Sequence, residues 1–266
     1  MNEVCESLKK QRKSNKIKLI IYQVLVLVGF FGVWELLAYF HLINVFVFSS
    51  PSAVFKTLIE YIKTDQLFKH VWISIYETVF GIIIGSVTGI FIAAVLWYWR
   101  RLTEVLQPFL NVLNALPKTA LAPIMIIWAG AGAKGIVLVA ISILIIITIL
   151  STLNYFNNVE EDKIKMMKSF GASRKQLFTK LIFPSNFGNL ATVVKINIGM
   201  SWIGVIVGEL LVSKAGIGYL IMYGGQIFKM DLVMMGVFIL SIAAFLMYVM
   251  VDKLEKIIIK KRGEKM

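Results

Sequence analysis

Side chains that could catalyse a reaction or bind a metal ion are few in this sequence, and their spacing does not suit such chemistry. His41 and His70 are the only histidines, and Cys5 is the only cysteine. Zinc sites need three or four Cys, His or carboxylate ligands at short, recurrent spacings such as H-E-x-x-H, and the sequence contains none. The sequence therefore predicts no metal site and no catalytic residue, which argues against a membrane enzyme.

One group of glycines matches a nucleotide-binding motif by its letters alone. Gly130, Gly132 and Gly135 have the G-x-G-x-x-G spacing of dinucleotide-binding loops. That motif requires a preceding strand, a following helix and an acidic residue about 20 positions later. Here it separates two long apolar segments, so it is predicted to be a turn between helices. The sequence also lacks a G-x-x-x-x-G-K-[ST] phosphate loop, so it predicts no ATP hydrolysis by that route.

Two carboxylates, Glu77 and Glu209, fall near the ends of apolar segments. A carboxylate inside a membrane costs about 2.5–3.5 kcal/mol on insertion scales, so it should face a cavity or a polar partner. For Glu209 two interpretations stay open, a position on a solute pathway or a solvated position at the membrane surface. For Glu77 the solvated position is favoured. Lys195 is too far from Glu209 to pair with it within one helix, and we expect its side chain to extend to the cytoplasmic surface.

The charged segment 160–184, EEDKIKMMKSFGASRKQLFTKLIFP, is predicted to form two short helices, and we call it the elbow. Its acidic start favours a helix N-terminus. The first helix should end at Gly171, because glycine readily adopts the left-handed conformation. The second should begin at Ser173, with Gln176 at capping-box spacing, and end at Pro184. Such an elbow is typical of a docking site for another protein, and the alternative is an amphipathic helix on the lipid surface.

Long apolar segments must position these residues. The chain is 58% hydrophobic, with a mean hydropathy of +0.80. Apolar runs of about 20 residues can cross a hydrocarbon core roughly 30 Å thick. We predict an all-α integral membrane protein with about six transmembrane helices, or five, because prolines and glycines interrupt the third and fourth. The predicted spans are residues 18–40, 74–99, 105–129, 136–154, 191–212 and 232–251.

The distribution of basic residues predicts the orientation in the membrane. The net charge is +13, from 28 Lys and Arg residues. Most of them lie in the N-terminal segment, next to the second span at Arg100 and Arg101, in the elbow and in the C-terminal tail. This is the positive-inside bias, which predicts that all four regions are cytoplasmic. The charge therefore indicates a membrane protein and does not indicate nucleic-acid binding.

A glycine pattern in the second span predicts close packing of two helices. Gly81, Gly85 and Gly89 recur every four residues. Small residues at this spacing let helix backbones approach closely in lipid, where apolar burial gives no driving force. The alternative is chance, since glycine is frequent in membrane helices.

Two regions of the sequence resemble the permease subunits of bacterial ATP-binding-cassette importers, in the nitrate/sulfonate/taurine-type branch. The first is residues 116–132, LPKTALAPIMIIWAGAG, and the second is the elbow. These permeases share the pattern E-A-A, three residues, glycine, nine residues, I-x-L-P. Gly171 takes the glycine position. The last part of the pattern falls on Leu181, Phe183 and Pro184, and the E-A-A positions hold Lys165, Met166 and Met167. Residues 201–209, SWIGVIVGE, and 216–219, GIGY, are also similar to that branch.

This resemblance implies the type I importer fold and an importer made of several separate proteins. The elbow would be the coupling helix, which docks on a separate cytoplasmic ATPase that binds the ATP, so the permease needs no cofactor of its own. A second permease copy or homologue would complete the pathway, and an extracytoplasmic binding protein would deliver the solute. The residues assigned to ATPase coupling are Lys165, Met166, Met167, Gly171, Ala172, Ser173, Leu181, Phe183 and Pro184. Those assigned to the pathway are Glu209, Trp202, Pro117 and Pro123, of which the prolines are expected to bend the third span.

The function expected from the resemblance is import of a small solute across the bacterial cytoplasmic membrane by alternating access. The solute would be a nitrate-, sulfonate- or taurine-like anion, or an aromatic vitamin precursor. The alternative, a stand-alone secondary transporter or channel, would be expected to show inverted repeats or charged midplane sites, and we find none. The predicted regions are a basic N-terminus (1–17), the first span (18–40), an extracytoplasmic segment with a surface helix (41–73), the permease domain (74–252) and a basic tail (253–266).

Overall fold

The computed structural model describes the backbone of residues 2–261 and the side chains of residue 15 and residues 17–257. All regular structure in this part of the chain is helical, which confirms the all-α prediction. The predicted N-terminal region (1–17) and basic tail (253–266) fall partly outside the described residues. The helices are α1 (Asn2–Tyr39), α2 (Val45–Phe48), α3 (Pro51–Lys63), α4 (Gln66–Tyr98), α5 (Arg100–Ala115), α6 (Ala122–Ala129), α7 (Ala133–Asn157), α8 (Glu161–Ser169), α9 (Arg174–Leu177), α10 (Phe183–Ser185), α11 (Phe187–Val212), α12 (Ile217–Gln226) and α13 (Met230–Lys261).

Five described helices, α1, α4, α7, α11 and α13, contain segments long and apolar enough to cross a membrane. The third predicted span is not a single helix, because α5 and the segment 118–129 meet at an angle of 87°. The count is six if this bent pair forms one span. Pro117 follows the break, where Leu116 is extended, as residues before proline usually are. Pro123 does not bend a helix, because it lies in the first turn of α6, where proline is tolerated.

The centre of the protein is formed by α4, α7 and α11, which pack closely through glycines. A Cβ atom at Gly81 would lie 3.0 Å from the Cβ of Ala140, and one at Gly89 would lie 2.7 Å from the Cβ of Thr148. From α11, a Cβ at Gly208 would lie 3.1 Å from the Cα of Ile136, which is four residues before Ala140 and so on the same face of α7. The glycines Gly81, Gly85 and Gly89 face Ala140, Leu144 and Thr148 in that order. Any larger side chain in the stripe would push α4 away from α7.

A buried polar network joins the same three helices. The Asn197 amide of α11 donates to the hydroxyl groups of Ser86 and Thr148, each at 2.8 Å. The hydroxyl of Ser201 donates to the carbonyl of Thr78 at 3.0 Å. Hydrogen-bonding groups that are buried away from water need partners, so these bonds favour one register of the helices over others.

The helix α13 is joined to α11 by an ion pair. The ammonium of Lys195 lies 3.1 Å from Asp252 and also contacts Glu255. It lies 5.9 Å from the centre of the Tyr248 ring. Two carboxylates of α13 therefore bind Lys195, and the extension of its side chain to the cytoplasmic membrane surface stays a prediction.

The helices α1 and α3 lie on the periphery. The apolar part of α1 is largely exposed, and its Trp34 ring packs 6.0 Å from Phe238 of α13. The amphipathic helix α3 begins at Pro51, and the hydroxyl of Ser50 accepts a hydrogen bond from the N–H of Ala53. Its Thr57 is buried and donates to Asp231 of α13. Thus α3 packs on the end of the bundle remote from the elbow.

Candidate functional site

The turn between the two elbow helices has the backbone that the sequence predicts. Gly171 has a φ of +72°, in the left-handed region. The N–H groups of Gly171 and Ala172 donate to the carbonyls of Lys168 and Met167, at 2.9 and 3.1 Å, and so close the end of α8. No atom of the described residues lies within 4 Å of the position that a Cβ of Gly171 would take. The need for glycine here is therefore conformational, because the space is open.

The restart of the helix after this turn is a capping box, as predicted. The hydroxyl of Ser173 accepts from the N–H of Gln176 at 3.3 Å, and the Gln176 side chain accepts from the N–H of Ser173 at 2.8 Å. The helical turns then continue to Ser185, one residue beyond the predicted end at Pro184. A π-helical turn, Phe178–Ile182, leads into α10, and Pro184 lies in the first turn of α10. Proline is tolerated in a first turn because its missing N–H would have no helical partner there.

Arg174 fixes the elbow to the ends of the membrane helices. Its guanidinium donates to the carbonyl of Trp97 at 3.2 Å and lies 5.7 and 5.6 Å from the ring centres of Trp97 and Tyr98. Phe178 packs 5.2 Å from Trp97 and 5.5 Å from Phe156. Because Trp97 belongs to α4 and Phe156 to α7, movement of the elbow and movement of these two helices are mechanically connected.

The three residues at the E-A-A positions do not share one environment. Lys165 and Met166 are exposed, whereas Met167 is half-buried against the protein's own core. The exposed apolar surface of α8 instead consists of Met166 and Phe170, which are 53% and 81% exposed. Phe170 is absent from the predicted coupling residues, although its spacing of four residues from Met166 places both on one helix face. Of the remaining elbow residues, Ser173 and Phe183 are exposed, and Ala172, Leu181 and Pro184 are half-buried.

Glu209 lies in a buried site at the start of α12. It accepts a hydrogen bond from the hydroxyl of Ser74 at 2.5 Å and one from the N–H of Gly218 at 2.6 Å. Its side chain is inaccessible to solvent, so the solvated interpretation is wrong. It is wrong for Glu77 as well, because Glu77 is also buried. The reason in both cases is that α12 folds back over the ends of α4 and α11 and covers these residues.

Two glycines make room for the Glu209 carboxylate. Gly216 has a φ of +114°, and a Cβ at Gly218 would lie 2.8 Å from the Cβ of Glu209. The N–H of Gly216 donates to the Nδ1 atom of His70 at 2.9 Å. Thus the two stretches SWIGVIVGE and GIGY form one structural unit, in which the carboxylate holds the first turn of α12.

The residues assigned to the pathway do not meet in the single chain. Trp202 is buried beside α13, and its indole N–H has no hydrogen-bond partner among the described residues. Pro117 is exposed at the break after α5. Glu209 lies with Ser74 and Gly218 in the buried site, where it forms no hydrogen bond to the other residues assigned to the pathway within the described part of the chain. No group of three or more His, Cys, Asp or Glu side chains in the described residues is placed to hold a metal ion.

Comparison with known proteins identifies the family. Residues 81–262 match the family described as the binding-protein-dependent transport system inner membrane component. The chain belongs to this family. It is therefore a multi-pass permease subunit of an ATP-driven importer. This membership favours the importer over a stand-alone secondary transporter or channel.

Individual relatives place the permease in the branch suggested by the sequence. It is 27% identical to the putative aliphatic sulfonates transport permease protein SsuC of Bacillus subtilis, over 87% of this chain and 84% of the relative. It is 23% identical to the taurine transport system permease protein TauC of Escherichia coli, over 87% of this chain and 86% of that relative. Among solved structures, a chain of the inward-facing MetNI methionine ABC transporter matches with a TM-score of 0.63 and 17% identity, over 72% of this chain and 95% of that one. This structural match supports the type I permease fold.

Proposed function

We propose that this permease imports a small anionic solute by alternating access and that a separate ATPase drives it through the elbow. Two relatives named above carry sulfonates and taurine, and these supply the proposed solute class. A second permease copy or homologue completes the pathway, and an extracytoplasmic binding protein delivers the solute. These partners follow from the family, whose members depend on a binding protein.

The elbow end of the bundle is the cytoplasmic end in this proposal. Basic side chains cluster there, including Arg100, Lys168 and Lys175, all of which are exposed. This distribution is the positive-inside bias. In a protein with Cys5 replaced, an impermeant thiol reagent added from outside should reach a cysteine at position 63 and should miss one at position 174. Reaction at position 174 would reverse the orientation.

The observation that carries the proposal is the exposed pair Met166 and Phe170 on a helix with fixed geometry. Large apolar side chains that are exposed on a rigid surface are typical of binding sites, and methionine adapts to irregular apolar partners. The orientation of α8 is set by the turn at Gly171, Arg174 holds the elbow against α4, and Phe178 packs on both α4 and α7. A helix that merely rested on lipid would need neither the turn nor this attachment.

Replacement of Phe170 by alanine tests the docking surface. The substitution removes an exposed side chain without disturbing the core, so membrane level and thermal stability should stay the same. Retention of the ATPase on co-purification and uptake should both fall. Lys168→Ala is the matched control, because Lys168 is exposed on the same helix but two residues away, on another face. Equal ATPase retention by wild type and Phe170→Ala would contradict docking at this surface.

The solute class can be tested through the cognate binding protein. Thermal-shift screening should include nitrate, taurine, aliphatic sulfonates and aromatic vitamin precursors. We expect stabilisation by an anion from the first three groups. Stabilisation by an aromatic vitamin precursor alone would overturn the anion assignment but would leave the ATP-driven import mechanism in place.

A further inference from the structure

The helix α5 carries a continuous polar stripe that the family assignment does not explain. Its polar residues are separated by alternating steps of four and three, which places them on one helix face. The residues of the stripe are Arg100, Glu104, Gln107, Asn111 and Asn114, followed beyond the break by Lys118. The other face of α5 is apolar and includes Val105, Phe109 and Val112, which are more than 60% exposed. The helix is therefore strongly amphipathic although it belongs to a membrane protein.

Lys118 is joined to the far end of the stripe. Its ammonium donates to the backbone carbonyl of Asn114 at 2.9 Å and lies 3.4 Å from the side-chain oxygen of the same residue. A lysine at the end of a helix can bind the last carbonyls in this way. An ammonium has three donors, and Asn114 accounts for two. One donor therefore remains for a molecule on the exposed side of the stripe.

The end of the stripe that begins at Arg100 lines a polar cavity at the elbow. The cavity has a volume of about 380 Å³. Its polar lining consists of Arg100, Thr103, Glu104, Gln107, Asn157 and Arg174. Three of these residues belong to the stripe itself. The stripe thus leads from the cytoplasmic end of the bundle towards Lys118.

Packing against α7 places Lys118 deep in the membrane. A Cβ atom at Gly135, in the first turn of α7, would lie 3.4 Å from the Cα of Ile126. Ala122 packs one turn further along, in a cluster with Val139 and Ile143. Thus α6 runs antiparallel to α7, and Lys118 lies one more turn towards its middle. The 25 residues of α7 span about 37 Å at roughly 1.5 Å per residue, so Lys118 is near the centre of a hydrocarbon core about 30 Å thick.

A lysine at this depth needs water or a polar partner, because exposure of an unsatisfied charged group to lipid is unfavourable. We infer that the polar stripe of α5 lines the solute pathway and that Lys118, at its deep end, binds the anionic group of the solute. This inference rests on the proposed import of an anion. The remaining donor of Lys118 suits a sulfonate or carboxylate oxygen, and the amides of Asn111 and Asn114 supply neutral polar contacts below it.

Thiol reagents of opposite charge test the inference without knowledge of the natural solute. The permease with Cys5→Ser and Asn114→Cys keeps the backbone carbonyl that holds Lys118. In inside-out vesicles that contain the complete transporter, position 114 is treated with 2-sulfonatoethyl methanethiosulfonate or with its trimethylammonioethyl analogue. The rate of modification by the anionic reagent, divided by the rate for the cationic reagent, should fall about tenfold on Lys118→Gln. A charged cleft changes association rates by about 10- to 1,000-fold, and tenfold is the lower end of that range. Lys118→Arg should keep the ratio, and Lys134→Gln is the control.

Two results would overturn the inference. The first is an unchanged rate ratio in Lys118→Gln. The second is a shallow position for residue 114. A nitroxide there should lie inside the hydrocarbon core, towards the midplane that is about 15 Å below the edge of the core, whereas a position at that edge would mean that α5 lies flat on the membrane. Co-purification of the ATPase with the Lys118 variants separates a failure of this inference from a failure of the proposed function. The Lys118 substitutions should change charge selectivity but leave ATPase binding unchanged, whereas absence of ATPase binding would contradict the proposed function.

Discussion

Substitutions at Gly171 should uncouple the ATPase without unfolding the membrane helices. The residue has a φ of +72°, and no described neighbour lies within 4 Å of the position that a Cβ atom would take, so each substitution changes backbone conformational energy alone. Alanine in the left-handed region costs about 1–2 kcal/mol. A β-branched valine costs more, up to about 3 kcal/mol. Asparagine costs less, because it adopts this conformation routinely.

The expected order of ATPase retention and uptake is therefore glycine, asparagine, alanine and valine. Because the elbow lies outside the membrane-spanning segments, insertion should be the same for all four. The measurements are co-purification of the ATPase and uptake into vesicles at equal permease level. Gly32→Ala in α1 is the control, since Gly32 also has no described neighbour within 4 Å but lies within a helix. Full ATPase retention and wild-type uptake by Gly171→Val would refute the role of the elbow in coupling.

Three further substitutions follow from the same structure. Ser173→Ala removes the cap of α9 and costs about 1 kcal/mol, so it should lower ATPase retention less than Gly171→Val does; a larger loss would mean that the hydroxyl contacts the ATPase itself. Glu209→Leu removes the acceptor oxygens that bind the hydroxyl of Ser74 and the N–H of Gly218, and each buried donor left without a partner should cost about 1–3 kcal/mol. The expected result is a lower unfolding temperature together with lower uptake, and unchanged stability would contradict the structural role. Gly85→Leu should prevent close packing of α4 on Leu144 of α7 and reduce the amount of folded permease, whereas normal yield would contradict the packing.

The elbow could be predicted from sequence because its chemistry is local. A capping box joins residues three apart, and a left-handed glycine ends a helix through bonds to the preceding turn. Both features of the elbow appear at Gly171 and Ser173. The predicted end at Pro184 is one residue short of Ser185, but the π-helical turn before it has no signal in the sequence.

The buried carboxylate site could not be predicted, because its partners are distant in the sequence. Ser74 lies 135 residues from Glu209, and the two meet only when α4 packs against α11. Lys195 also has a partner that is distant in the sequence, because Asp252, which binds it, lies 57 residues away. Hydropathy locates these charged groups near the ends of spans, but their environment depends on tertiary contacts between helices.

The polar stripe on α5 is a signal that hydropathy alone does not detect. Its spacing is visible in residues 100–118, but the predicted span 105–129 runs through this segment as one continuous helix. The break before Pro117 separates an amphipathic helix from an apolar one. A periodicity test on each side of a proline separates the two helices.

The central claim, that an ATPase docks on the elbow to drive import, is tested most directly by site-specific cross-linking. A photoreactive phenylalanine analogue at position 170 would replace an exposed aromatic side chain with one of similar shape. In membranes that contain the whole transporter, illumination should produce one cross-linked product containing the permease and the ATPase, and the same analogue at position 134 should not. Cross-links from position 170 to lipid alone, with an active ATPase present, would contradict the claim.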